Sequence, residues 1–126
     1  MNIVIWVAQV ALGGVFLLAG STKVFTPLPE LAMQVPWVGD VPAWVPRLAG
    51  VSELFGAVGV VLPTLVRVQP RLAPLAAAGL GLVMALAAGF HLTRNEFGAI
   101  AVNLALMALA AFVFHGRRRL HPISPR

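Results

Sequence analysis

The stretch RLAGVSELFGAVGVVL, from Arg47 to Leu62, is an apolar run that carries a carboxylate, Glu53, well inside it. If the stretch is helical, the positions three and four residues away share a face with Glu53. All four are small residues: Ala49, Gly50, Gly56 and Ala57. Inside a membrane, small residues allow close helix packing or leave a hollow, and an ionisable side chain there marks a functional site. The stretch therefore predicts a membrane span with a site at Glu53.

The whole chain has the composition of an integral membrane protein. Of its 126 residues, 60% are hydrophobic and only 10% are charged, with a mean hydropathy of +0.92, far from the usual makeup of soluble domains. Four apolar runs approach the ~20 residues that a membrane-crossing helix needs. We predict one all-α domain over residues 1–126, an integral membrane four-helix bundle with spans at about 2–22, 46–63, 71–92 and 98–115. No room remains for a soluble catalytic domain, so any chemistry must lie between the helices or in the first loop.

Several kinds of chemistry are excluded by the residues that the chain lacks or separates. It contains no cysteine, which removes disulfides, thiol redox mechanisms and cysteine-ligated metals. Haem held by two histidines requires both at one depth, whereas His91 is at the opposite end of the bundle from His115 and His121. We therefore predict no metal site, and the sequence leaves open whether the chain is an enzyme.

The charges indicate how the chain lies in the membrane. The four predicted spans place six arginines on one side, namely Arg67, Arg71, Arg117, Arg118, Arg119 and Arg126. The other side holds Lys23, Arg47 and Arg94. The positive-inside rule then predicts that both termini are cytoplasmic and that the first loop is outside. The basic C-terminal tail, HGRRRLHPISPR, is expected to contact membrane lipids rather than nucleic acid.

The first loop, from Thr26 to Pro46, is rich in proline and contains Trp37 and Trp44. Tryptophan favours the headgroup region of a bilayer, so we expect this loop to lie at the outer interface as a lid. The alternative is a passive connector, because amphipathic tryptophans sit at interfaces whether or not a ligand is bound.

Four polar residues from four different runs fall at a similar depth, in the half of the bilayer next to this loop. Lys23 ends the first run and His91 lies near the end of the third. Glu53 is about 9 Å and Asn103 about 7 Å inward from the ends of their runs, at about 1.5 Å per residue. We predict that these four side chains form one ligand-binding polar pocket beneath Trp37 and Trp44.

Each of the four pocket residues has a predicted role, and Lys23 and Asn103 also have an alternative role. Lys23 and Glu53 are expected to form an ion pair, because each charge would otherwise lose its hydration without gaining a partner. His91 and Asn103 are expected to donate hydrogen bonds to a ligand. Alternatively, Lys23 reaches the interface along its own helix, and Asn103 hydrogen-bonds a neighbouring helix with no ligand involved.

The third run carries a stripe of small residues at every fourth position: Ala77, Gly81, Ala85 and Gly89. Such spacing predicts a close seam between two helices of the bundle. Homo-oligomer formation through the same stripe is the alternative.

Motifs distributed along the chain resemble those of the DoxX-like four-helix membrane proteins of bacteria. They are Leu18-Ala19-Gly20-Ser21-Thr22-Lys23, Val35-Pro36-Trp37-Val38, Gly50-Val51-Ser52-Glu53-Leu54-Phe55-Gly56-Ala57, Phe90-His91 and Val102-Asn103-Leu104. The resemblance implies a multi-pass four-helix bundle in the bacterial cytoplasmic (inner) membrane. It also implies an association with quinol oxidase or with membrane oxidoreductase complexes, while a vertebrate relative resembles a receptor chaperone. It supplies no catalytic residue set.

Three functions follow from these features. The leading hypothesis is the non-covalent binding of a small amphiphile, such as a quinone or a lipid-like molecule, in service of a membrane redox partner. A quinone requires an apolar slot with one or two hydrogen-bond donors, a role that His91 and Lys23 are suited to. The second is an assembly or chaperone-type scaffold locked by the polar cluster. The third is a small transporter, which would also use an intramembrane glutamate but lacks broken helices in its two halves.

Overall fold

The computed structural model describes all residues 1–126, and every regular element in it is helical. The helices are α1 Asn2–Phe25, α2 Leu28–Gln34, α3 Trp44–Val66, α4 Leu72–Thr93 and α5 Phe97–His115. A short 3₁₀ helix, Pro36–Asp40, joins α2 to α3, and a π-helical segment, Gly116–Leu120, continues α5. The predicted all-α class is confirmed.

Four of these helices are long and apolar enough to cross a membrane. The spans contain between 22 and 24 residues, and their most apolar windows have mean hydropathies from 1.7 to 2.3. At about 1.5 Å per residue, such lengths reach about 33–36 Å, slightly more than a hydrocarbon core of about 30 Å. Between 17% and 39% of each window is buried within the protein, so most of the apolar surface is left for lipid. The chain is a four-helix membrane protein, as predicted.

The observed helices extend beyond several of the predicted boundaries. The first span was predicted to stop at residue 22, but α1 continues to Phe25. The hydroxyl of Thr22 donates to the carbonyl oxygen of Leu18 at 2.9 Å, which keeps this polar residue compatible with the helix. Helix α3 likewise begins at Trp44 and ends at Val66, with Pro63 inside it.

The core lies along the centre of the four spans. Its largest buried side chains include Leu12 and Phe16 of α1, Val60 of α3 and Leu80 of α4. Gly13 allows α1 to lie directly on α3, since a Cβ atom there would be 2.7 Å from Cγ2 of Val61. Close packing of this kind replaces the hydrophobic effect as the source of helix association in lipid.

The small-residue stripe of α4 forms a seam over only half of its predicted length. Ala77 is fully buried, and a Cβ atom at Gly81 would lie 3.7 Å from Ala110 of α5. Ala85 and Gly89 are exposed. Four residues turn a helix by about 400°, so a strict four-residue spacing drifts by about 40° per step and leaves the interface.

The fourth span was predicted to end at residue 115, but the helical chain continues to Leu120. Gly116 makes this continuation possible, because a Cβ atom there would approach Cδ1 of Ile5 to 2.8 Å. The close approach of α5 to α1 buries Arg117, which is only 3% exposed. One arginine of the predicted tail is therefore an internal residue.

Candidate functional site

The site lies at the end of the bundle that holds Lys23, Glu53 and the α2 region, which we call the loop end. The opposite end, with Arg67, Arg71, Arg117, Arg118, Arg119 and Arg126, is called the arginine end. All four acidic side chains of the protein belong to the loop end, namely Glu30, Asp40, Glu53 and Glu96. The two ends are thus chemically distinct.

Two facing glycines bring α1 and α3 together at the loop end. A Cβ atom at Gly20 would be 2.8 Å from the carbonyl oxygen of Gly50, and one at Gly50 would be 2.9 Å from that of Gly20. Lys23 follows the first glycine by three residues and Glu53 follows the second by three, so each lies about one turn from the crossing. The glycine contact therefore sets the distance between the two charged side chains.

Lys23 and Glu53 form an ion pair within the bundle. Nζ of Lys23 donates to Oε1 of Glu53 at 3.1 Å and to Oε2 at 2.9 Å. The Glu53 side chain is 4% exposed and that of Lys23 is 18% exposed, so the carboxylate is the more deeply buried partner. An ammonium has three N–H groups, and this pairing leaves one of them free.

Arg47 holds the end of α1 against the start of α3. Its Nη1 is 2.8 Å from each of three carbonyl oxygens, those of Lys23, Val24 and Thr26. The last carbonyls of a helix have no partner within the helix, and an arginine satisfies them as a C-terminal cap. This capping role of Arg47 was not predicted from the sequence, because its partners are backbone atoms that no side-chain pattern reveals.

His91 is bound to a chain of charged side chains that joins α4, the α4–α5 turn and the 3₁₀ helix. Its Nδ1 lies 2.9 Å from Oε1 of Glu96, and the same oxygen accepts a hydrogen bond from Nε of Arg94 at 2.9 Å. Arg94 also donates through Nη2 to Oδ2 of Asp40 at 2.7 Å. Asn95, with a φ of 58°, makes the left-handed bend that brings Glu96 back to His91.

The two charged residues of this turn stabilise each other's ionised forms. The hydrogen bond from His91, together with the Arg94 guanidinium, lowers the pKa of Glu96 below its ordinary value of 4.5. The hydrogen bonds to Asp40 and Glu96 raise the pKa of Arg94. The turn is therefore a fixed cation–anion network at neutral pH.

The contact with Glu96 bears on the donor role predicted for His91. A carboxylate can only accept hydrogen bonds, so the proton of a neutral His91 is on Nδ1, where it is donated to Glu96. Nε2 then carries a lone pair and is an acceptor. The prediction that His91 is a donor to a ligand holds only for the protonated ring, since the neutral ring has already committed its proton.

The two predicted lid tryptophans differ in how they are held. Trp37, in the 3₁₀ helix, is partly buried and makes edge-on contacts with Phe90 and His91 at ring centroid distances of 5.6 and 6.5 Å. Trp44 is the first residue of α3 and is 64% exposed. Trp37 therefore covers His91, whereas Trp44 is at the rim with most of its surface available to the headgroup region.

Asn103 is the unpaired polar group of the site. It is 8% exposed, and its Nδ2 is buried without a hydrogen-bond partner. The alternative in which this amide bonds a neighbouring helix is therefore not what the structure contains. A buried N–H without a partner costs about 1–3 kcal/mol, so an incoming acceptor atom would gain a favourable contact here.

The groups predicted for the pocket line one cavity of about 490 Å³. Its lining includes each predicted pocket and lid residue, Lys23, Glu53, His91, Asn103, Trp37 and Trp44. The rest is mostly apolar, with Leu48 of α3 and Leu86 of α4 on the wall, and Ser52 is a polar lining residue that sequence analysis did not single out. Leu48 and Leu86 are 57% and 67% exposed, so the apolar lining of the cavity continues onto the outer surfaces of α3 and α4.

A second polar cluster lies at the arginine end and was not predicted. Gln9 of α1 is fully buried, and its Nε2 donates to Oγ1 of Thr64 at 2.9 Å and to the carbonyl oxygen of Val60. Its Oε1 accepts from Nε of Arg117 at 2.7 Å. The signal was available, because Gln9 is the one strongly polar residue in the middle of the first run.

No group of three or more His, Cys, Asp or Glu side chains is arranged to hold a metal ion. The polar groups of the loop-end cavity include one ion pair, one imidazole, one amide with an unpaired N–H and the hydroxyl of Ser52. Such a set can bind and orient a ligand with hydrogen-bonding oxygens.

The comparisons with known proteins agree with the architecture. No curated protein and no solved structure gives a significant match to the chain. The model of the DoxX-like family matches residues 7–113, which covers most of the protein, including every residue of the loop-end cavity. The chain therefore belongs to the DoxX-like family.

Proposed function

We propose that the protein binds a quinone-like amphiphile in the loop-end cavity and serves a redox partner in the membrane. The observation that carries this proposal is Asn103, which lines a largely apolar cavity and whose buried Nδ2 has no hydrogen-bond partner. A quinone carbonyl is an acceptor and would pair with this N–H. An apolar tail would leave along Leu48 and Leu86 into the bilayer.

The other polar groups suit both oxidation states of such a ligand. The remaining N–H of Lys23 is a second donor for a quinone oxygen. The lone pair on Nε2 of His91 is an acceptor for a quinol hydroxyl, and Glu96 stabilises the ring if it takes up that proton. Electron transfer is assigned to the partner protein, because the chain has no cysteine for thiol redox chemistry.

The test compares ligand binding by the native protein and by Asn103→Leu, which removes the amide at similar volume. Protein purified in mild detergent is expected to carry quinone detectable by mass spectrometry and to gain thermal stability when ubiquinone or menaquinone is added. Asn103→Leu should bind about tenfold more weakly, as expected for one lost hydrogen bond in an apolar site. Val102→Leu introduces the same side chain on the 58% exposed neighbour and is the matched control. Absence of quinone and of any thermal shift in the native protein would contradict the proposal.

A scaffold function is the second candidate, and the ion pair between Lys23 and Glu53, which joins α1 to α3, favours it. In that case the polar cluster holds the helices for an assembly partner, and the cavity has no ligand of its own. Glu53→Gln separates the two functions. A folded variant that no longer binds quinone supports the binding function, whereas loss of the fold in a protein that never bound quinone supports the scaffold.

We further propose that the arginine end faces the cytoplasm of a bacterial cell and that the loop end faces outward. Six arginines without an acidic side chain at one end are the supporting observation. Because the chain lacks cysteine, single-cysteine variants give a clean readout. A membrane-impermeant maleimide should label Gly39→Cys in spheroplasts and should label Ser124→Cys only after lysis. The reverse pattern would overturn this orientation.

A further inference from the structure

At the arginine end, Arg117 is a buried cation without a counter-anion. Its Nε donates to Oε1 of Gln9 at 2.7 Å, and its Nη1 donates to Oδ1 of Asn2 at 2.7 Å and to the carbonyl oxygen of His121 at 3.0 Å. Every one of these acceptors is neutral. Its Nη2 is buried and has no partner, although the residue is only 3% exposed.

A buried charge normally persists in a protein only when an opposite charge is close to it. The four acidic side chains of the chain are all at the loop end, so none can serve Arg117. The indole of Trp6 lies beneath the guanidinium at 5.0 Å and offers only a cation–π contact. The side chain is thus held in place by neutral groups, with its charge uncompensated.

Arg117 forms part of the wall of a cavity of about 480 Å³ at this end. Arg71, at the start of α4, and Arg118 line the same cavity, and no acidic residue does. The Arg118 guanidinium is positioned over the ring of Phe114 at 5.4 Å. Three arginines therefore surround one space that is far from any carboxylate side chain.

One wall of this cavity is the C-terminal segment, residues 122–126, which is hydrogen-bonded to Arg67 at the end of α3. Nε of Arg67 donates to the carbonyl oxygen of Ser124 at 2.9 Å, and the backbone N–H of Arg126 donates to the carbonyl oxygen of Arg67 at 2.9 Å. Pro122 and Pro125 are lining residues of this segment, and their fixed φ angles limit its conformations. The cavity is therefore bounded on one side by this hydrogen-bonded segment, at the end of the bundle where the spans stop.

We propose that this cavity is a binding site for a phosphate-bearing anion, held by Arg71, Arg117 and Arg118. A phosphate group presents several acceptor oxygens with full negative charge, which suits arginine forks better than any neutral ligand. The positive end of the α4 helix dipole lies beside Arg71 and favours the same charge. The phosphate is supplied either by the headgroup of an anionic phospholipid or by a free phosphate ion.

The experiment uses the full-length protein purified in an uncharged detergent and measures thermal stability with three probes: phosphatidylglycerol, phosphatidylcholine and inorganic phosphate. Stabilisation by phosphatidylglycerol alone assigns the site to a lipid headgroup, and stabilisation by inorganic phosphate assigns it to the free ion. Native mass spectrometry identifies any lipid that stays bound. If none of the probes stabilises the protein and no lipid remains, the proposal is wrong.

The variants Arg71→Gln and Arg118→Gln test the site without disturbing the buried cluster, because both arginines are exposed. Each should weaken binding of the effective probe about tenfold, as expected for one lost charge-assisted contact. Arg119→Gln is the matched control, since Arg119 is exposed and adjacent but does not line the cavity. Binding unchanged in Arg119→Gln and reduced in the other two supports the site. An equal loss in all three would mean diffuse attraction to a basic tail and would overturn it.

Discussion

The loop end and the arginine end of the bundle accommodate buried charge in opposite ways. At the loop end, Glu53 is paired with Lys23 at 2.9 Å, and each charge of the neighbouring turn also has an opposite charge in contact. At the arginine end, Arg117 contacts only neutral oxygens and keeps one N–H without a partner. The comparison shows that Glu53, the deeply buried charge of the loop end, has its counter-charge within the chain, whereas Arg117 has no opposite charge in contact.

The largest expected effect comes from removing one partner of the complete pair. Glu53→Leu leaves the ammonium of Lys23 partly buried without its counter-charge, and breaking a buried pair in this way costs about 3–5 kcal/mol. The expected result is a large loss of thermal stability in detergent, measured by the fraction of protein that stays monodisperse after heating.

The double variant Lys23→Met with Glu53→Leu is the control for that prediction. Replacing both charges with apolar side chains removes the desolvation penalty, so most of the lost stability should return. If the double variant is as unstable as Glu53→Leu, the loss arises from shape rather than from the unpaired charge.

A second prediction concerns the glycines that bring the helices together at the two ends. Gly50→Ala places a methyl group 2.9 Å from the carbonyl oxygen of Gly20, which cannot move without separating α1 from α3, and should cost about 1–3 kcal/mol. The nearest atoms to the new methyl group in Gly116→Ala belong to the side chain of Ile5 rather than to backbone, and this variant should cost less because a side chain repacks more easily than a helix backbone moves. Gly14→Ala, with no atom within 4 Å of the new methyl group, is the neutral control. Equal losses of thermal stability in Gly50→Ala and Gly116→Ala would contradict this predicted difference between the two ends.

A smaller effect is expected from removing the buried cation of the arginine end. Arg117→Met leaves the oxygens of Gln9 and Asn2 without a donor but also removes an uncompensated charge. These opposing contributions should leave a net loss of about 1 kcal/mol in anion-free detergent, measured by thermal unfolding. A loss as large as that of Glu53→Leu would mean that the two ends do not differ as described.

The smallest predicted effect is a pH dependence confined to the loop end. The pKa of Glu96 is lowered in the folded protein by His91 and Arg94, so its ionised form stabilises the fold above pH 4.5, its ordinary pKa. That contribution is lost as the pH falls through the lower, folded-state pKa. Glu96→Gln should therefore flatten the decline of thermal stability in this acidic range and leave binding at the arginine end unchanged. An unchanged acid profile in Glu96→Gln would contradict the assignment.

Hydropathy and polar spacing were enough to predict the spans and the depth of the loop-end residues. Lys23, Glu53, His91 and Asn103 each interrupt an apolar run, and the helical rise converts their positions into a common depth. Depth does not specify the direction of a side chain or its partner. His91 was therefore predicted to donate a hydrogen bond to a ligand. In the structure its Nδ1 lies 2.9 Å from Oε1 of Glu96, five residues later.

The arginine end was predicted less well because its organisation depends on contacts between residues distant in sequence. Arg117 looks like one member of a basic tail until Gly116 brings it against α1, where Gln9 is 108 residues away along the chain. Likewise, regular spacing suggested one continuous seam on α4, and the drift of a four-residue repeat around the helix confined it to Ala77 and Gly81.

By itself, the sequence determined that this protein crosses the membrane four times and that its acids and its tail arginines lie at opposite ends. These properties follow from the transfer of each side chain between water and lipid, which depends on local composition. Only the tertiary structure decided which charges are paired, which amide is free and which arginine is buried. Those outcomes depend on how closely the helices approach, and that distance is set by glycine contacts between segments far apart in the chain.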